Sequence, residues 1–146
     1  MSINNINSLT SPGNFSGKIL QVVQATTAAT VTTTSATYVT TGLTGSITPS
    51  SASNKIFLLA MFNLTNSAAT DWVDTTLFRG TVAGTDTGYT IAVLNNIVPV
   101  NLSGLDSPST TSAQTYTVGF KRRSAVTATF NANATTATLI MMEVAA

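Results

Sequence analysis

An all-β fold, an antiparallel β-sandwich of jelly-roll-like type preceded by a short N-terminal arm, is what this 146-residue chain predicts. Three observations carry the prediction. From Lys18 onward the chain is a succession of short runs rich in Val, Ile, Thr, Phe and Tyr, cut by Gly, Pro, Asn and Ser, the alternation of strand formers and turn formers. No stretch long enough for a helix repeats its apolar residues at a helical period. No internal repeat of fixed length suggests a propeller or a solenoid.

Residues 1–17 are polar, contain Pro12, Gly13 and Gly17, and scatter only Ile3, Ile6, Leu9 and Phe15 along their length. They are expected to form an anchoring arm, and residues 18–146 a single sandwich domain. The spacing of Ile3, Ile6 and Leu9 suits a short helix that Ser11-Pro12-Gly13 would end. Strands are expected near 18–24, 27–34, 36–42, 44–49, 55–64, 74–80, 87–94, 96–103, 114–122, 125–131 and 136–145.

The faces of these strands say more than their ends. Along 115–121, Tyr116, Val118 and Phe120 point one way, and Thr115, Thr117, Gly119 and Lys121 the other, so one face is wet. Along 55–62, Ile56, Leu58, Ala60 and Phe62 oppose Phe57, Leu59 and Met61. Both faces of that strand need cover. Along 138–144, Leu139 and Met141 similarly oppose Ile140, Met142 and Val144. A two-layer sandwich leaves its outer faces in water. Phe57, Leu59 and Met61 are therefore expected to meet a neighbouring subunit of a homo-oligomer, a trimer being favoured, rather than loops of their own chain.

Composition excludes much chemistry. The chain has no Cys and no His, which removes thiol catalysis, disulfides, Ser-His-Asp triads and ordinary zinc sites. Only 8% of residues are charged, against about a quarter in most soluble domains, and 29 residues are Thr, so hydroxyls and amides supply the polar surface. A net charge of +1, with Lys121-Arg122-Arg123 as the one basic cluster, argues against nucleic-acid binding. The opening residues lack the pattern of a secretory signal, and no run has the length of a membrane span. The four Asn-x-Ser/Thr triplets at Asn14, Asn63, Asn101 and Asn133 are what chance gives in such a composition.

The acids are Asp71, Asp74, Asp86, Asp106 and Glu143, and a hydrolase needs two of them facing one cleft. Asp71 and Asp74 are the closest pair, but in an extended segment they point to opposite faces, and a Ca²⁺ site there needs several more oxygens. Asp106-Ser107-Pro108 reads as a turn, and Gly80-Thr81-Val82-Ala83-Gly84 lacks the lysine of a phosphate loop. No cofactor is expected. The lone Trp72, in a polar stretch, is either an edge-of-core residue or a platform for a sugar ring. Lys121, Arg122 and Arg123 fit a guarded strand end or, in an assembly, a patch facing an acidic neighbour. With Ile3, Ile6 and Leu9 of the arm they complete the candidate assembly interface.

Five blocks resemble small virion proteins of tailed bacteriophages, many of them marine or cyanobacterial. They are Gly17-Lys18-Ile19-Leu20-Gln21-Val22-Val23, Ile47-Thr48-Pro49-Ser50-Ser51-Ala52-Ser53-Asn54-Lys55-Ile56, Leu77-Phe78-Arg79-Gly80-Thr81, Leu105-Asp106-Ser107-Pro108-Ser109-Thr110-Thr111 with Tyr116, and Met142-Glu143-Val144-Ala145. The likeness spans most of 17–146, is poor across 82–104 and is absent from the arm. Such proteins are described as virion structural proteins, capsid-decorating proteins or tail-fibre domains. The resemblance implies a non-enzymatic protein on the particle surface, assembled in the host cytoplasm. Its partners would be itself and the major capsid protein or another virion protein, with no membrane and no nucleic acid. A tail fibre engaging host surface glycan, through Trp72, is the alternative.

Overall fold

The computed structural model describes residues 17–68, 71–86, 91–93, 96–123 and 125–146. They form β1 (Ile19–Thr27), β2 (Val31–Thr33), β3 (Val39–Ile47), β4 (Lys55–Asn66), β5 (Val73–Arg79), β6 (Thr85–Asp86), β7 (Ile91–Val93), β8 (Val98–Asp106), β9 (Gln114–Arg122), β10 (Ala128–Phe130) and β11 (Ala137–Val144). All pairings among them are antiparallel. The expected arm, with Ile3, Ile6 and Leu9, lies outside the described residues apart from Gly17.

Several short strands share a path. Leu64 of β4 pairs with Val98 on one side and Phe130 on the other, so β10 and β11 follow each other along one edge of β4 while β8 holds the opposite edge. β1 and β2 likewise follow each other along the far side of β11 and β10. In the second sheet β9 lies between β3 and β5, and β6 and β7 share the other edge of β5. Numbered as paths along the chain, the first sheet runs 1-8-3-6 and the second 2-7-4-5. That interleaving of eight paths between two sheets is the jelly roll.

The expected strands near 36–42 and 44–49 are one strand. Gly42 sits at φ +78° and the register with β9 shifts between Thr40 and Thr44, so a bulge absorbs the residue that looked like a break. The expected strand near 27–34 is broken instead, Thr27 closing β1 and only Val31–Thr33 resuming. Of the window 87–94, 91–93 form β7 and the remainder lies outside the described residues, while Thr85–Asp86 pairs where a loop was expected. β8 runs on to Asp106, so this residue ends a strand rather than opening a turn.

Between the sheets the inner rows of β4, β11 and β8 pack on those of β3, β5 and β9. Leu43, Ile56, Leu58, Leu64, Leu77, Val118, Phe120, Phe130, Leu139 and Met141 are fully buried there. One end of this core is polar, because Gln21, Glu143, Ile56 and Asp106 are cross-strand partners in a single row. Two buried networks fill that end. Tyr116 Oη donates to Asp106 Oδ2 at 2.7 Å and Arg79 Nη1 lies 3.4 Å from the same oxygen, tying the sheets together. Glu143, 1% exposed, accepts hydrogen bonds from Ser50 N (2.6 Å), Ser50 Oγ (2.8 Å), Asn54 Nδ2 (2.6 Å) and Gln21 Nε2 (2.6 Å). The turn that carries the chain from the second sheet to the first is thereby latched to the last strand.

Burial, and then the bond to Asp106, push the Tyr116 phenol well above its ordinary value of 10.0. Stability linked to it is complete below pH 10 and falls as the pH rises above that, since only the unfolded chain then ionises. Tyr116→Phe is expected to flatten that alkaline limb in urea melts between pH 9 and 12. Parallel curves for the two proteins would remove Tyr116 as the cause.

Candidate assembly face

Alternation along each strand of the first sheet leaves one set of side chains pointing away from the core. Pairing brings four of them into a row, Val22 opposite Met142, Met142 opposite Phe57 and Phe57 opposite Leu105. The next rows are Gln24, Ile140, Leu59 and Ser103, then Thr26, Thr138, Met61 and Asn101. Val144 lies opposite Lys55 on the other side of the row. Val22 is 59% exposed, Leu105 55%, Leu20 43% and Met61 36%, while Phe57, Leu59, Ile140 and Met142 are half-buried by their neighbours. Lys55 is the one charged side chain on this face among the described residues. An apolar surface crossing all four strands with a single charge is more than scattered surface leucines would give.

Phe57, Leu59 and Met61 thus stand together. Lys121, Arg122 and Arg123 do not join them, because Lys121 and Arg122 end β9 in the other sheet and Arg123 follows directly after it. Lys121 Nζ lies 4.6 Å over the Tyr38 ring and 4.0 Å from Asp74 Oδ2. Arg122 donates through Nε to Thr34 O and through its amide to Ser35 O. Arg123 Nε donates to Asp74 Oδ2 at 3.3 Å, and its Nη2 stands 2.6 Å from Oδ1, a close but poorly aligned contact. Asp74, on the outer side of β5, is 5% exposed beneath Lys121 and Arg123. Trp72 is 41% exposed, with the Arg123 guanidinium 5.9 Å from its ring centre.

The outer face of the second sheet is of another kind. Phe78 and Val82 lie over Gly119, where an added Cβ would meet Phe78 at 2.8 Å and Val82 at 3.0 Å, and Tyr38 packs edge-on to Phe78 at 5.2 Å. A cavity of about 260 Å³ beside them is lined by Thr40, Thr44, Thr81, Val82 and Thr117. Its hydroxyls are engaged, Thr44 with Tyr116 O and Thr117, and Thr117 with Gly80 O, and no acid or base lines it. Among the described residues no three acidic side chains gather as a metal-ligand set.

What the sequence missed is the width of the face. Leu105 lay beyond the expected end of its strand, and Leu20 and Val22 alternate with Ile19 and Val23 in a short run whose two sides do not differ clearly. Their odd and even positions against the neighbouring strands were the available signal.

No family model and no curated protein matches the chain. Among solved structures it is similar to the infectious bursal disease virus VP2 subviral particle, with 11% identity over 86% of this chain and 40% of that one, at a TM-score of 0.44. It is similar also to a structure of the infectious bursal disease virus Gx strain, with 11% identity, the same coverages and a TM-score of 0.36. The chain spans 40% of the length of each.

Proposed function

We propose that this chain is a non-enzymatic structural protein of a virus particle, a homo-oligomeric jelly-roll subunit that decorates and cements the outer surface of a tailed-phage capsid. The observation that carries the reading is the outer face of the first sheet, built around Phe57, Leu59 and Met61 and holding Lys55 as its single charge among the described residues. Apolar surface of that extent marks a contact site, and another subunit is the cover this reading assigns to it. The resemblance to phage virion proteins adds to it. Its blocks contain Gln21, Ser50, Asn54, Arg79, Asp106, Tyr116 and Glu143, the residues of the two buried networks, so the likeness falls on what holds this sandwich together. The partners are further copies and the major capsid protein or another virion protein, met at the particle surface.

The exposure of Trp72 beside Arg123 favours a second reading, a fibre tip that engages host surface glycan by stacking a sugar on the indole. One pair of particle preparations separates the two. Phage lacking the protein is expected to lose resistance to heat and low salt while adsorbing normally, because binding to the assembled state stabilises it by mass action. Trp72→Ala particles are expected to adsorb as wild type. Heat-stable particles that fail to adsorb would promote the fibre reading instead.

A further inference from the structure

Among the described residues, five of the seven exposed large apolar side chains, Ile19, Leu20, Val22, Met61 and Leu105, lie on or beside the outer face of the first sheet; Trp72 and Ile97 are the others. We propose that the occupant of this face is the same face of a second copy, packed about a two-fold axis that runs parallel to the strands between β11 and β4. This rests on reading the face as an assembly contact, and it adds the partner and the symmetry.

Charge argues first. A face recognising a different protein gains specificity from complementary charges, whereas a two-fold contact pairs a face with itself, so charges of one sign find no opposite charge there and a nearly neutral surface is favoured. Here Lys55 is the single charged residue among the described ones, and it stands at one end of the rows. The number of patches argues next. A trimer closed by rotation needs two different complementary surfaces on each subunit, but a two-fold contact needs one. Among the described residues the second sheet offers no equivalent surface, since its outer side carries Asp74, Lys121 and the Phe78–Val82 cover over Gly119.

Size and shape agree. Strands about 4.8 Å apart and rising about 3.4 Å per residue give a four-strand face of roughly 600 Å² in projection. That approaches the roughly 800 Å² of accessible surface each partner gives to a standard interface. Two sheets of one twist stack face to face at about 10 Å. Rotation about the proposed axis lays β1 of one copy over β8 of the other and β11 over β4. The row of Val22, Met142, Phe57 and Leu105 then maps onto itself, with Val22 of one copy over Leu105 of the other and Met142 over Phe57. Val22 and Leu105 are the two most exposed of the large apolar residues, at 59% and 55%. The contact buries both.

The chain has no cysteine, so engineered ones report cleanly. Val22 and Leu105 are three strand spacings, about 14 Å, apart within one chain, which is beyond disulfide reach. Facing sheets about 10 Å apart leave the intermolecular pair beyond disulfide reach as well, so V22C/L105C protein is expected to give a covalent dimer with a short bis-maleimide cross-linker, while each single variant stays uncross-linked. Wild-type protein is expected to scatter light as a dimer at micromolar concentration. Phe57→Asp is expected to raise the dimer dissociation constant at least about 30-fold with unchanged circular dichroism, and to melt as the wild-type protein does when diluted to monomer. A trimer mass, a cross-linked ladder, or a monomer at every concentration would overturn the two-fold pairing. A protein that dimerises only after removal of residues 1–16 would also overturn it for the intact chain, and would make the arm the cover. Loading onto phage particles is read alongside. A monomer whose Phe57→Asp variant no longer loads discards the pairing and keeps the face as an assembly contact. A dimer whose Phe57→Asp variant still loads keeps the pairing and discards this face as the contact with the particle.

Discussion

Glu143→Gln is expected to cost about 3 kcal/mol at pH 7, the range for hydrogen bonds to a buried charged group. The carboxylate accepts four hydrogen bonds and donates none. Gln21 Nε2 donates both to it and to Thr48 O at 2.7 Å. A glutamine at 143 either sets its own amide hydrogens against those of Gln21, or forces Gln21 to turn and abandon Thr48. Burial alone would raise the Glu143 pKa, but the bonds from Asn54, Gln21 and Ser50 outweigh it and hold the carboxyl at about 2, against an ordinary 4.5. A depressed carboxyl contributes stability that is complete above the unfolded value and is lost as the pH falls toward the folded one. The wild type should thus lose its advantage between about pH 4.5 and pH 2, and the two proteins should converge at the acid end. Urea melts across that window decide it. A constant gap between the two proteins down to pH 2 would show that the latch does not act through its charge.

Asn131→Ala is expected to cost about 3–4 kcal/mol, from buried polar groups left unpaired and from backbone strain. Asn131 is fully buried at the level where both β1/β2 and β10/β11 break, and its φ is +53°. Its Nδ2 donates to Ala29 O at 3.3 Å and Thr135 O at 2.7 Å, and its Oδ1 accepts from Asn63 Nδ2 at 3.3 Å and Thr135 Oγ1 at 2.9 Å. Asn63 Oδ1 in turn accepts from Ala132 N at 2.8 Å. The knot satisfies the backbone that each break leaves without a ladder partner. Asn131→Gly separates the two costs, because glycine takes a positive φ freely but cannot make the side-chain bonds. It is expected to be about 1 kcal/mol less harmful than alanine. Equal losses would assign the whole effect to the hydrogen bonds, and a harmless alanine would refute the knot.

Which strands are apolar on both sides is a property of the chain alone, because side chains alternate wherever an extended run forms. Phe57, Leu59 and Met61 could accordingly be singled out without coordinates, as could the wet face of the strand that carries Tyr116. The sandwich follows from the same pattern, since no run has a helical period. Register is a different matter. Val22 and Leu105 each look like isolated surface residues, and only their cross-strand pairing through Met142 and Phe57 sets them in one row. The donors that hold Glu143 come from 122, 93 and 89 residues away, so nothing local marks that acid as a buried latch. Lys121, Arg122 and Arg123 are plain as a run, yet alternation sends Lys121 and Arg123 to Asp74 and Arg122 to the 34–35 backbone. Local pattern determines which faces an extended chain presents. Long-range pairing decides which faces share a surface, because each register is chosen by the sum of contacts along two strands and by no residue within either one.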